Sequence, residues 1–366
     1  MDKPYVKAST RIYPFFDRLS SSSNLELPQT IEIHLSNVCN NSCKFCFYHD
    51  TVNGKNKISF LPYDKILETL ECFKNRKNHA LVLSGGGEPT LHPKFHDIIE
   101  AAYNLGVDIG VITNGIHYNQ KIEDALLKTA WVKFSLHTGS SIQYNKIIGR
   151  YDINIFDRIQ QNIKTFVSSK TSKTKVSTGC VINKINESDD DILSYFNNSV
   201  YNLGVDYVLF RGYMGDNINL KITRSQHDFF QIEKKINFLA AQAGVFSNFS
   251  SFVKGINNKE ESYNDICPIV KAGMIAAITT NGEVHVCLPG MQCNLFRPIG
   301  SILYDNFRNI WQSNKHYDII NSALVNKCPS CKYKKTIPLI KNISSDTSML
   351  EQQIIKAKKD PHWRFL

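Results

Sequence analysis

Seven cysteines stand in two sets whose spacing suits metal ligation. The first, CNNSCKFC, places Cys39, Cys43 and Cys46 in a C-x3-C-x2-C triplet. Three thiolates complete neither a tetrahedral zinc site nor a four-iron cluster, so such a triplet either recruits a distant fourth ligand or leaves one metal position open. The second set runs from Cys267 through fourteen residues to Gly282, four more to Cys287, and after a gap to Cys328-Pro-Ser-Cys331. Four thiolates in two pairs suit a closed tetrahedral site, and on spacing alone structural zinc and a four-iron cluster are equally compatible. The N-terminal stretch MDKPYVKASTRIYPFFDRL mixes charges throughout and has no secretory signal pattern, so metal ligands or buried thiols fit the ten cysteines better than disulfides.

These thiols must be positioned by the elements around them. Beyond the Ser-rich lead at Ser20 to Ser23, short β-branched runs alternate with amphipathic stretches, the signature of βα units. The pattern predicts strands at 30–35, 80–83, 107–112, 131–136, 175–182 and 205–210, and helices at 63–73, 95–105, 122–128, 156–166 and 190–203. Gly106 and Gly204 stand where helix C-caps are expected. Right-handed crossovers then give an α/β fold with a parallel sheet. Six units are too few for a closed eight-stranded barrel, which leaves an open three-quarter barrel or a doubly wound sheet. From Thr223 the pattern changes to a long helical stretch and the polar segment 257–265, and a domain boundary is expected there.

Composition sets outer limits. With 42% hydrophobic and 21% charged residues, the chain of 366 is ordinary globular material. No run of about 18 apolar residues exists to span a membrane, and a cytoplasmic protein is expected. Of the formal net charge of +10, half falls in the last 35 residues, where eight Lys and Arg face three acids. The simple reading is a solvated, partly helical terminus, and no nucleic-acid function is drawn from it.

With Phe45 just before its last cysteine, CNNSCKFC resembles the cysteine motif of the radical S-adenosylmethionine (SAM) family. The resemblance implies that Cys39, Cys43 and Cys46 hold three irons of a 4Fe-4S cluster, with SAM chelating the fourth iron and Phe45 lying against the adenine. It implies a partial (βα)6 TIM-like barrel. The second strand ends in SGGGEPTLHP, where Gly85, Gly86 and Gly87 give a backbone that approaches a ligand closely and Glu88 supplies a carboxylate suited to an ammonium group. This resembles the family's GGE motif for the methionyl amine. The third strand runs into Asn114, and the fourth into Ser135-Leu136-His137. By the resemblance, Ser135 and Arg150 are candidates for the SAM ribose and carboxylate, and Asn114, Asn183 and Arg211 are further cofactor-site candidates at strand ends. His137 stands where the family often has an acidic residue. It is a candidate substrate contact or acid-base group, although an isolated histidine at a strand end is ordinarily structural. The resemblance covers residues 27–213.

The second cysteine set, with PIGSILYDNFRNIWQS between its halves, resembles the twitch form of the SPASM extension. That implies one auxiliary 4Fe-4S cluster on Cys267, Cys287, Cys328 and Cys331, used for electron transfer or structure. KYKKTIPLIKN adds no cysteines for a second auxiliary cluster. Cys72, Cys180 and Cys293 remain. Free cysteines are mostly packing residues, but Cys180 and Cys293 are also candidate hydrogen-atom donors, as an epimerase would require. The expected organisation is a lead at 1–26, the barrel at 27–215, a helical linker at 216–260, a small cluster-binding domain at 261–335 and a basic tail at 336–366.

The family resemblance implies a 5′-deoxyadenosyl radical that removes hydrogen from a C–H bond, with electrons from an external donor such as flavodoxin or ferredoxin. Oxidative tailoring of a ribosomal peptide, by dehydrogenation or cross-linking, is the leading expectation. Only 38 residues precede the triplet, too few for a fused leader-peptide recognition domain, so a separate recognition protein is expected. The competing readings are a small-molecule dehydrogenase resembling the aminocyclitol alcohol oxidase, a peptide epimerase, and a zinc-stapled RNA-binding protein. The last leaves the Gly-rich loop and strand-end motifs unexplained.

Overall fold

The computed structural model describes residues 8–20, 26–49, 52, 59–74, 76, 79–149, 152, 154–256, 267–323, 331, 350–360, 362 and 364–366. The β-branched and aromatic runs form strands β1 (Thr30–Ser36), β2 (Ala80–Gly86), β3 (Asp108–Thr113), β4 (Trp131–Ser135), β5 (Lys175–Ile182) and β6 (Tyr207–Gly212). They are followed by the short strands β7 (Phe246–Ser247), β8 (Ile275–Ile278), β9 (Glu283–His285) and β10 (Gly300–Ser301). All belong to one sheet in the order β10-β9-β8-β1-β2-β3-β4-β5-β6-β7. From β1 to β7 each strand pairs in parallel with the next. This is a partial βα barrel, and the six predicted strands are the first six of it.

Alternation along the strands separates two faces. Ile31, Ile33, Leu35, Leu83, Val111, Val132 and Phe134 are buried beneath the surrounding helices. The intervening positions include Glu32 and His34 on β1, Lys133 on β4, Ser177 on β5 and Arg211 on β6. A parallel strand buried on both faces reads as a continuous apolar run, so these interleaved polar residues mark the inner face of the barrel. The helices bury matching stripes. Ile155–Ser169 turns Ile155, Phe156, Ile159, Ile163 and Phe166 inward, at the spacing of one helical face. A helix at Ser141–Ile148, not anticipated from the sequence, starts on an Ser140 side-chain cap and ends at Gly149 in the left-handed region.

Segments beyond β6 extend the sheet at both edges. Helices Phe230–Gln242 and Phe249–Gly255 flank β7, which pairs with β6. On the other edge β8 pairs in parallel with β1, Thr30 opposite Ile275 and Glu32 opposite Ala277, and an antiparallel hairpin carries the sheet on through β9 and β10. Phe307 and Trp311 stack on one another at 5.6 Å, and the Trp311 indole N–H donates to Glu26 O at 2.9 Å.

The described part of the C-terminal segment is docked, not solvated. Helix Leu350–Lys358 lies against the turn of helix at Ala8–Phe15, and buried Asp360 pairs with Arg11 at 3.0 Å. Arg364 O accepts from Thr30 Oγ1 at 3.2 Å, Arg364 Nη1 meets Asp108 at 2.6 Å, and the Tyr207 hydroxyl meets His362 Nε2 at 3.2 Å. Phe365 packs edge-on against Trp131 at 5.3 Å. Thr30, Asp108, Trp131 and Tyr207 are the first residues of β1, β3, β4 and β6, so this segment closes the N-terminal end of the barrel, opposite the cysteine triplet.

Candidate active site

The triplet begins three residues after β1, and the glycines at the end of β2 hold its loop in place. Gly85 and Gly86 take φ of +51° and +60°, left-handed values that strain any residue with a Cβ. At Gly87 the reason is space, because a Cβ would lie 2.6 Å from Val38 C and 2.9 Å from Val38 N. This close approach lets Gly87 N–H donate to Ser36 O and Glu88 N–H donate to Val38 O at 2.9 Å. The first task of the glycine triplet is thus to press the end of β2 against the chain entering Cys39.

Glu88 faces into the protein. Its carboxylate accepts from Thr90 N–H at 3.1 Å, Thr90 Oγ1 at 2.7 Å, Thr113 Oγ1 at 2.6 Å and Asn114 N–H at 2.7 Å. Three of these donors converge on Oε1 and one on Oε2, and together they tie β2 to the end of β3. Burial raises the Glu88 carboxyl above its ordinary value despite the four donors. Asn114 also reaches the cysteine loop, with its amide donating to Asn40 Oδ1 at 2.6 Å and lying 3.9 Å from Cys39 Sγ.

Burial pushes the Cys39 thiol up to about 11, with Glu88 and Cys46 adding to the shift. Burial raises Cys43 as well, followed by Cys39 and Cys46, and burial raises Cys46. Burial and, for Cys39 and Cys43, the neighbouring thiols disfavour ionisation, a cost that a cationic cluster would reverse. The donor set therefore fits an iron-sulfur cluster. Among the described residues no three His, Cys, Asp or Glu close around a single metal ion.

Phe45 packs edge-on against His137, ring centroids 4.6 Å apart. His137 has φ of +66° and is 7% exposed. Its Nδ1 accepts from Val181 N–H at 3.2 Å, and its carbonyl accepts from the Cys180 thiol and the Asn186 amide, each at 3.0 Å. Burial, followed by the charges of Lys133 and Arg211, lowers its pKa to about 3. His137 is therefore neutral at physiological pH. Cys180 is buried on the helix-facing side of β5, and Asn183 is fully buried, its side chain bonding Val181 O and Ile185 N–H. Ser135 is half-buried and Arg211 exposed, on the inner face. Arg150 and Cys328 lie outside the described residues.

In the second set, the Cys267 N–H donates to Ala323 O at 2.8 Å, and the Cys287 Sγ accepts from Gly290 N–H at 3.1 Å at the start of helix Leu288–Gln292. Cys331 is half-buried and Cys293 exposed. The Gln292 amide donates to the Tyr48 hydroxyl at 3.0 Å, which joins this helix to the first cysteine loop.

Sequence reasoning missed the inner-face group of Glu32, His34, Tyr48 and Lys133. Ser84 donates to the Glu32 carboxylate, His34 Nε2 lies 3.7 Å from it, and the His34 ring meets Tyr48 edge-on at 5.2 Å. Burial works to raise Glu32, but His34, Ser84 and Lys133 outweigh it and hold the carboxyl below its ordinary range. The signal was the alternation in TIEIHLS, which puts a charge and an imidazole on one face of an otherwise apolar strand.

The family model of the radical SAM superfamily matches residues 33–196, and that of an iron-sulfur cluster-binding domain matches residues 267–332, together more than half of the chain. An S-adenosylmethionine-dependent nucleotide dehydratase from Flammeovirga pacifica is 30% identical over 187 residues, covering 48% of this chain and 60% of that protein. A tungsten-containing aldehyde ferredoxin oxidoreductase cofactor-modifying protein from Pyrococcus furiosus is 26% identical over 180 residues, covering 48% and 49%. The chain thus spans less than two thirds of the length of either relative. Streptococcus suis SuiB bound to S-adenosylmethionine superposes with a TM-score of 0.64 at 18% identity, over 84% of this chain and 70% of that one. SuiB bound to its precursor peptide SuiA gives 0.62 at 19%, over 84% and 69%. Likeness at such identity speaks for the fold alone. Among the described residues no helix is long and apolar enough to cross a membrane.

Proposed function

We propose, from the premise that this chain belongs to the radical SAM superfamily and carries a C-terminal iron-sulfur cluster-binding domain, that it carries out an oxidative tailoring reaction on a peptide. Its cofactors are SAM and two 4Fe-4S clusters. Cys39, Cys43 and Cys46 hold the first cluster in this reading, and Cys267, Cys287, Cys328 and Cys331 the second. Bound there, SAM and its cluster supply a radical that takes hydrogen from a C–H bond, and the second cluster supplies an electron acceptor.

The observation that carries the reading is the hydrogen bond from Gln292 to Tyr48. Tyr48 follows Cys46 by two residues and Gln292 follows Cys287 by five, so the helix after Cys287 touches the first cysteine loop. A substrate seated there faces both, as a reaction needs when it removes a hydrogen atom and then an electron. The residues position and shield. Phe45 and His137 form one wall, and the C-terminal segment closes the far end of the barrel to water. A peptide substrate is in keeping with the likeness to SuiB, which binds a precursor peptide. An external one-electron donor such as flavodoxin or ferredoxin, and a separate leader-recognition protein, complete the proposal.

Incubation with SAM, reductant and a short peptide encoded beside the gene tests it. The expected product lacks two hydrogens and appears with one 5′-deoxyadenosine each. A product of unchanged mass with inverted stereochemistry would make the protein an epimerase. An untouched peptide alongside consumption of a small alcohol would move the substrate to the small-molecule class.

A further inference from the structure

Two of the helices that cover the sheet leave a groove between them. Helix Asp189–Asn197 follows β5 and packs against helix Phe230–Gln242, which follows β6. Each turns its apolar stripe inward, Ile192, Tyr195 and Phe196 on the first and Ile232, Ile236 and Ala240 on the second, which leaves their charged residues outside. The groove has a volume of about 610 Å³. Asp189 and Asp190 line it from the first helix and Lys234 and Lys235 from the second, with Leu193, Ile232 and Phe238 supplying apolar surface. It thus has an acidic rim and a basic rim.

Each rim keeps a charge in reserve. Asp189 pairs with Arg224 at 2.6 Å, and the Lys234 ammonium lies over the Phe230 ring at 4.1 Å. Asp190 and Lys235 are exposed, and neither has an ion-pair partner among the described residues. Phe238 is 66% exposed and Phe230, on the same helix, 48%. Two phenylalanines left in water beside an apolar groove with charged rims mark a surface that another protein covers. The rims decide which kind of protein. A partner of one sign would meet a like-charged rim on one side of the groove. A second copy of the chain, turned by a two-fold axis along the groove, lays its acidic rim over Lys234 and Lys235 and its basic rim over Asp189 and Asp190, so both contacts attract. The same rotation brings each Phe238 over the other copy's groove, where Leu193 and Ile232 offer it apolar contact.

We propose that this groove is the interface of a two-fold dimer of the chain, held by reciprocal acidic and basic rims around Phe238. The interface uses none of the residues assigned to the clusters or to SAM, so it does not depend on the reaction proposed above.

Sedimentation equilibrium on the full chain with its clusters reconstituted tests it. The parent is expected to dimerise reversibly, and more weakly as salt rises. K235D and D190K each set like charges against one another twice per dimer and should weaken association about tenfold or more. F238S removes the ring and should also weaken it. All three positions are exposed, so each variant should melt as the parent does. An equal mixture of K235D and D190K is the decisive sample. In the mixed dimer each copy supplies the charge that the other lost, and association should return to near the parent's strength, an outcome that damage to the fold does not produce. A parent that stays monomeric up to its solubility limit would overturn the proposal and leave the groove to a different protein. Variants that dimerise as the parent does would overturn it too, as would a mixture no more associated than either variant alone.

Discussion

Replacing Gly87 with alanine is expected to empty the first cluster site while leaving the barrel folded. The added Cβ would sit 2.6 Å from Val38 C and closer still to its carbonyl oxygen, so reaching the ordinary contact distance of 3.4 Å moves Val38 by at least about 0.8 Å. Cys39 is the next residue. Metal-ligand distances tolerate deviations of about 0.2 Å, so the displacement exceeds the tolerance several-fold. Overpacking of this kind costs about 1–3 kcal/mol, against about 5–15 kcal/mol for whole-domain stability, and the fold survives. After anaerobic reconstitution, G87A should lose about four of the eight irons of two 4Fe-4S clusters and cleave no SAM, with melting only a few degrees lower. Gly106→Ala is the control. Its φ is +72° with nothing within 4 Å of the added Cβ, so it costs about 1–2 kcal/mol of left-handed strain and keeps full iron. A G87A protein with full iron and normal SAM cleavage would refute the argument that the glycines position the cysteine loop.

Three further outcomes follow from other contacts. Phe365→Ala removes the ring packed on Trp131 at the closed end of the barrel, and denaturant unfolding should show a loss of about 3–5 kcal/mol; a loss below about 1 kcal/mol would mean the segment is not a structural stopper. His362, buried and near Arg11 and Lys175, has its pKa lowered to about 3, chiefly by burial. Its folded value lies below the unfolded 6.5, so its contribution is full above pH 6.5 and is lost as pH falls toward 3. Between pH 7 and 5 the parent should therefore lose about 2 kcal/mol more than His362→Asn, and parallel pH profiles would contradict this. A double-mutant cycle of Tyr48→Phe and Gln292→Ala should give a coupling of about 0.5–1.5 kcal/mol for the bond joining the two cysteine segments; additive effects would remove it.

What the sequence disclosed depended on how local the cause was. The first six strands and their helices were legible because each carries its own period, as in helix Ile155–Ser169 with its single apolar face. The cysteine triplet stood out in the sequence because its spacing is short-range. β8 was not, since four apolar residues acquire a strand identity only by pairing with β1 some 240 positions earlier. The docking of Phe365, Arg364 and His362 was hidden for the same reason, as their partners lie at the starts of distant strands. Glu88 was legible as a carboxylate beside glycines, but its inward orientation depends on Thr113 and Asn114 of the next strand. His137 in a left-handed conformation follows from Val181, Cys180 and Asn186 gripping it, a set of contacts without a sequence signature.

The most direct measurement is iron and sulfide content with electron paramagnetic resonance after anaerobic reconstitution, for the parent and for a variant with Cys39, Cys43 and Cys46 all replaced by alanine. The account predicts about eight irons falling to about four, one of two cluster signals lost, and SAM cleavage abolished. Iron content and SAM cleavage that are unchanged by the three substitutions, or zinc in place of iron, would contradict it.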